Sequence, residues 1–277
     1  MRKSLRLCVD AFWRFNAQDG WAIASHIALS TLISLFPFLI FVTALAGFIG
    51  SRSLADESAK LIFSTWPAVI ANPIAGEVQY ALAAPHGGLL TLGALLALYF
   101  SSWAVEAARV GLNRAYGLVE TRPWWLLRLE SIGYVIVAAI ALLALAFLVV
   151  LGPLIWENVL SVAPELAPLG AIVTFARLAI TSALVAASLL IAHHGLPNGR
   201  IRLFEIAPGV ILTIICSVAF GEIFGAYLSE FARNYVLTYA GLASAMIALV
   251  FLYSMSAIFV YGGELNAAIM RGRQAPQ

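Results

Sequence analysis

The chain has 277 residues, 62% hydrophobic and 11% charged, with a mean hydropathy of +0.94. Globular chains are about 25% charged, so a water-soluble domain is excluded, and a net charge of +2 is too small to mark a nucleic-acid binder. The two cysteines, Cys8 and Cys216, lie in the N-terminal segment and inside an apolar stretch without CxxC or Cys/His spacing, so neither a disulfide framework nor a metal site is indicated.

Residues 2–16 read as an amphipathic helix. Leu5, Val9, Phe12 and Trp13 share one face, and Arg2, Lys3, Arg6 and Arg14 supply cations. That pattern suits a helix lying at the headgroup level, and equally a solvated helix packed on a bundle. The segment is too charged, and the apolar run behind it too long, for a cleavable signal peptide.

Six apolar stretches follow, at about 22–48, 87–108, 131–153, 170–192, 206–228 and 241–263. A bilayer hydrocarbon core of about 30 Å needs roughly 20 such residues in a helix. Pro37 is expected to kink the first span, because it removes the bond to the Ile33 carbonyl; Ser30 or Ser34 can satisfy the freed group. This makes Pro37 a hinge candidate, or simply a shaping residue. The longest connection, 49–86, carries an amphipathic piece at 54–66, and the connection 154–169 holds Pro164 and Pro168 and no Lys or Arg. Gly195, Pro197, Asn198 and Gly199 break the chain before the fifth span. Gly221 with Gly225, and Gly241 with Ala245, are small pairs that permit close helix approach. The reading is one all-α membrane domain over residues 1–277: six transmembrane helices plus the N-terminal amphipathic helix.

Lys and Arg fall twelve on the side of the termini and three on the other. This asymmetry predicts both termini in the cytoplasm. Charges at bilayer depth are costly and normally face a partner, and two clusters are expected. On the outer half, Arg177 and Glu222 share a depth of roughly 10 Å and should form an ion pair, acting as a static clamp or as a gate. Near the cytoplasmic surface, His26 enters the first span, while Glu106 and Arg109 leave the second and can pair at i,i+3. Asn113 follows them, and Glu264 and Asn266 end the sixth. Together they line a polar vestibule or merely anchor helix ends.

Several segments resemble the YihY/BrkB family of bacterial inner-membrane proteins. They are Ala24 with Ser34-Leu35-Phe36-Pro37-Phe38, then Leu112-Asn113-Arg114-Ala115-Tyr116-Gly117 and Ala207-Pro208-Gly209. Tyr235, Tyr239-Ala240-Gly241 and Leu252-Tyr253 follow, and Tyr261-Gly262-Gly263-Glu264-Leu265-Asn266-Ala267 is the most specific. Where members often carry an aromatic, this chain has Ser25-His26-Ile27, so the resemblance lends His26 no role. It implies a six-helix protein associated by name with virulence and serum resistance, and sometimes labelled ribonuclease BN. A metal-dependent ribonuclease needs a cluster such as His-x-His-x-Asp-His. This chain has four scattered histidines and three aspartates, and no catalytic, metal or cofactor residues are expected.

The expected function is transport or export of a lipid or amphipathic solute. No G-x-x-x-x-G-K-[ST] loop is present, so the chain has no ATPase of its own. A three-plus-three inverted repeat would give Glu106 and Glu222 comparable positions. The alternative is a non-transporting envelope-integrity or assembly factor. The expected partner is the bilayer, with no nucleic acid; a homo-oligomer or a protein partner stays open.

Overall fold

A computed structural model of the chain describes residues 2–48, 90–199, 201–239 and 241–274. The amphipathic piece expected at 54–66 and the beginning of the second span lie outside them, as do the side-chain surroundings of Gly241. The described regular structure is all helical: α1 (Arg2–Ala17), α2 (Gly20–Phe48), α3 (Leu90–Tyr116), α4 (Trp124–Ala146), α5 (Gly152–Val162), α6 (Gly170–Gly195), α7 (Leu203–Tyr239) and α8 (Gly241–Gln274). Five helical segments are long and apolar enough to cross a bilayer: Gly20–Val42, Trp124–Val149, Pro164–Gly195, Leu203–Glu230 and Ala245–Gly272. The expected second span corresponds to α3, 27 residues long, whose last turns carry Glu106, Arg109 and Arg114.

The connection at 154–169 is largely helical. α4 continues through a π-helical turn, Phe147–Leu151, into α5, and a 3₁₀ turn, Pro164–Leu169, leads into α6. The wide turn stands immediately before Gly152-Pro153, where the ring nitrogen has no proton for the helical ladder. α3, by contrast, runs past the expected end at 108 and closes at a glycine. Gly117, at φ 70°, occupies the left-handed position, with Gly117 N–H donating to the Arg114 carbonyl (3.0 Å) and Leu118 N–H to that of Asn113 (2.7 Å). That bonding pair is the Schellman closure favoured by glycine.

α2 and α3 pack along each other, α7 pairs with α8, and α8 also lies against α2 and α1. Phe15, Ile23, Ile27, Ala107, Ala115 and Val260 bring four of these helices into one apolar cluster. Ser34 does not repair the backbone beside Pro37. Its hydroxyl donates to the Phe100 carbonyl (3.1 Å) and accepts from Ala104 N–H (3.2 Å), so it sits across a rung of α3. α1 packs through Ala11 and Phe15 and leaves Val9, Phe12 and Trp13 exposed, so it rests on the bundle with an apolar face turned outward.

The close helix approach lies elsewhere than at Gly221 and Gly225, where an added Cβ would meet nothing within 4 Å. It lies at Gly209 and Gly262. A Cβ on Gly209 would run into the Gly262 carbonyl and the Asn266 amide, and one on Gly262 into Thr213. These two glycines let α7 and α8 cross almost backbone to backbone. α6 is the peripheral helix, with only His193 buried.

Candidate functional site at the polar end of the bundle

Arg109 and Asn113 stand one turn apart on α3 and are both buried. Arg109 does not pair with Glu106 at i,i+3. Its Nη1 donates to the Leu127 carbonyl (3.1 Å) and to Ser131 Oγ (3.0 Å) of α4, and its Nε stands 3.9 Å from Glu120 Oε2. Glu106 instead meets Arg128 of α4 at 3.1 Å. Arg128 also donates to Ser102 Oγ (2.7 Å) and lies 4.3 Å over the Tyr99 ring. The i,i+3 spacing made an intrahelical pair possible; the neighbouring helix supplied better-placed partners.

Glu120, in the connection between α3 and α4, is the hub. Arg122 donates Nε to its Oε1 (2.9 Å) and Nη2 to its Oε2 (2.8 Å), the two-pronged geometry that makes arginine–carboxylate pairs strong. Asn113 Nδ2 adds a third bond to Oε2 (3.0 Å). The Arg122 guanidinium holds the Glu120 carboxyl down at about 2. Arg122 reaches onward to Glu130 (2.7 Å) and to the Leu196 carbonyl (3.0 Å). Asn198 closes the ring: its N–H donates to Asn113 Oδ1 (2.6 Å) and its Nδ2 to the Val119 carbonyl (2.7 Å). The α3–α4 and α6–α7 connections are thereby tied around one carboxylate.

A second, deeper chain passes through Asn266, which has no exposure at all. Its Oδ1 accepts from Gly209 N–H (2.6 Å), and its Nδ2 donates to the Ile206 carbonyl (3.0 Å) and the Tyr116 hydroxyl (3.1 Å). The amide thus grips the turn of α7 that contains Pro208. Tyr116 Oη contacts His193 Nδ1 at 3.1 Å. His193 is wholly buried, and its Nε2 has no hydrogen-bond partner.

Glu264, 1% exposed, projects from the other side of α8. Arg271 Nη2 stands 3.7 Å from its Oε2, and Gln18, with its amide turned to suit its neighbours, donates to Oε1 (3.2 Å) and to the Arg114 carbonyl (2.6 Å). Glu264 Oε2 and Arg271 Nε and Nη2 make no hydrogen bond. Arg271 also borders a cavity of about 420 Å³ between α1 and the end of α8.

The structure therefore brings Arg109, Asn113, Asn266 and Glu264 to one end of the bundle, with Glu106 nearby on α3. It does not bring His26, which is exposed on the face of α2 opposite Ala24 and Ala28. The expected Arg177–Glu222 pair is not among the ion pairs of the described residues. Arg177 is half-buried with its Cδ near Gly152, while Glu222 is exposed on α7. Equal depth had placed them at one height, but they point in different directions around their axes. Pro37 lies half-buried inside an unbroken α2. The sequence reading passed over Tyr116, Glu120, Arg122 and His193. Tyr116 was within a quoted motif, and His193 closes an apolar span; Glu120 sits in a short polar connection with no pattern to mark it. Among the described residues, no three His, Cys, Asp or Glu side chains gather as a metal-binding group.

A model of the virulence factor BrkB family matches residues 11–277. The chain is 27% identical over 271 residues to a Bacillus subtilis protein named ribonuclease-like protein YfkH, covering 96% of both chains. It is also 27% identical over 277 residues to a UPF0761 membrane protein of Rhodospirillum centenum, covering 97% of this chain and 58% of that one. No solved structure matches the chain.

Proposed function

The chain belongs to the virulence factor BrkB family, and from that premise we propose that it moves a lipid or another amphipathic solute across the bacterial inner membrane. The observation that carries this reading is the set of buried polar atoms left without a hydrogen bond: His193 Nε2, Arg271 Nε, and Glu264 Oε2 with Arg271 Nη2, which face each other only as ions at 3.7 Å. Buried polar groups are nearly always bonded, and ionisable ones within a membrane are costly enough to mark a pathway. Here they stand beside groups that are fully bonded, such as Glu120 and Asn266. A bundle held by saturated clamps and lined by unsaturated groups suits a protein with a second arrangement, in which the spare groups meet cargo or one another. In this scheme the Glu120–Arg122 ring is the lock between the two connections, and Glu264, Arg271 and His193 are the groups that exchange partners. The arginine-rich end faces the cytoplasm, following the charge asymmetry.

A second reading, an envelope-integrity or assembly factor, is favoured by the saturation of the Glu120 ring, which acts as glue. The ribonuclease-like name belongs to the Bacillus relative. This chain carries no His-x-His-x-Asp-His cluster, and we place its activity outside hydrolysis. The test is lipid flux in vesicles reconstituted with the purified full chain. Wild-type protein should raise flux above that of empty vesicles, and Glu264→Gln should lower it about tenfold with normal yield. Wild-type flux equal to that of empty vesicles would remove transport and leave the integrity factor, to be pursued by crosslinking to a defined partner.

A further inference from the structure

We propose that the cavity between α1 and the end of α8 holds the headgroup of a zwitterionic phospholipid bearing a protonated amine, its phosphate on Arg14 and Arg271 and its ammonium on Asp10. The site rests on the membrane reading but not on transport.

Placement comes first. Val9, Phe12 and Trp13 are 46%, 47% and 67% exposed. Three large apolar side chains turned outward on a short helix beside a membrane bundle belong at the boundary of headgroups and acyl chains, the level tryptophan prefers. Trp13 and Arg14 also line the cavity, so its mouth opens at that level. At about 420 Å³ it falls within the range of small-ligand pockets.

Its chemistry comes next. Arg14 and Arg271 border the cavity, and Arg14 acts electrostatically on both Arg271 and Glu264. Arg271 lines the cavity with a side chain one-third exposed; its Nε and Nη2 are buried and make no hydrogen bond, Nη2 standing 3.7 Å from Glu264, so the rest of the guanidinium is the part open to a ligand. Guanidinium groups match phosphate oxygens in a planar fork. Yet the site is not simply anionophilic. Asp10 lines the same cavity, and Glu264 lies against Arg271. Two guanidinium groups against two carboxylates leave the surroundings close to neutral. A bare phosphate would leave Asp10 facing an anion, whereas a phosphate tethered to an ammonium satisfies both signs. Trp13 lines the same cavity, and Leu7 and Ala268 give the walls an apolar portion suited to the glycerol end.

The test is native mass spectrometry of the full chain released from mixed micelles holding equal phosphatidylethanolamine, phosphatidylcholine and phosphatidylglycerol. Retention of phosphatidylethanolamine is expected to exceed the others about fivefold. The trimethylated amine cannot donate to Asp10, and phosphatidylglycerol has no cation. Asp10→Asn should abolish that preference and favour phosphatidylglycerol; Arg14→Gln should weaken retention of all three about tenfold. Asp10 and Arg14 are exposed on α1, so both variants should fold, as circular dichroism in the same micelles would check. Equal retention of the three lipids, or a preference unmoved by Asp10→Asn, would overturn the proposal. So would displacement by millimolar inorganic phosphate, which would identify a free-phosphate site instead. Lipid preference without flux would keep this site and remove transport; flux without preference would do the reverse.

Discussion

Replacing Glu120 by glutamine keeps the side chain's shape and removes the negative charge shared by α3, Arg122 and the α6–α7 connection. In the folded protein the carboxyl is held near 2, chiefly by the hydrogen bonds from Arg122, against an ordinary value of 4.5. At about 1.4 kcal/mol per pH unit, that difference corresponds to about 3 kcal/mol in favour of the folded, ionised form. The Glu120 side chain is 26% exposed, so solvent screening trims the figure to about 2 kcal/mol. The substitution also removes one of the carboxylates that act on Arg109, 7% exposed at its side chain, though Glu106 acts on it more strongly and remains. Glu120→Gln should therefore destabilise the protein by about 2–3 kcal/mol. Reversible unfolding in mixed detergent micelles at pH 7 would measure it. The sign with pH follows from the lowered value: the contribution is complete above about 4.5 and fades as pH falls through about 2, so wild type and variant should converge in acid. A loss below about 0.5 kcal/mol, or a gap that widens on acidification, would refute the reasoning.

Gly209→Ala should cost about 2–4 kcal/mol, because its methyl meets the Gly262 carbonyl, whereas Gly221→Ala should change stability by less than about 0.5 kcal/mol; unfolding in the same micelles compares them. Asn266→Leu removes the grip on Gly209 and Ile206 and should cost about 1–3 kcal/mol, with faster hydrogen exchange in the first turns of α7. A double-mutant cycle of Arg177→Gln with Glu222→Gln should give a coupling near zero. A coupling above about 1 kcal/mol would restore the ion pair expected from depth alone.

Composition and apolar run length sufficed for the membrane helices, because hydrocarbon imposes a length and a polarity on whatever crosses it. They also suffice for height: Arg109, Asn113, Glu264 and Asn266 do share one end of the bundle. Direction around a helix axis was not legible in the same way. Glu264 and Asn266 are two residues apart and face different neighbours, while Glu106 and Arg109 satisfy i,i+3 and choose separate partners on α4. Azimuth depends on which helix lies beside which, and apolar spans with nearly uniform faces carry little of that information. The continuation of α4 into α5 was hidden for a related reason: a widened turn carries the helix through Gly152-Pro153 and past the expected end of the span at 153. Gly209 and Gly262 were visible only as parts of motifs, since a glycine's purpose is set by what stands opposite it.

The hydroxyl of Ser34, seated between the Phe100 carbonyl and the Ala104 amide, pins α2 and α3 in a single register. Sliding either helix by one turn would draw that peg out, and the carbonyl and amide it bridges would close on each other as an ordinary helical rung. A motion that opens the bundle at least cost accordingly carries these two rods as one body and draws its freedom from the remaining helices.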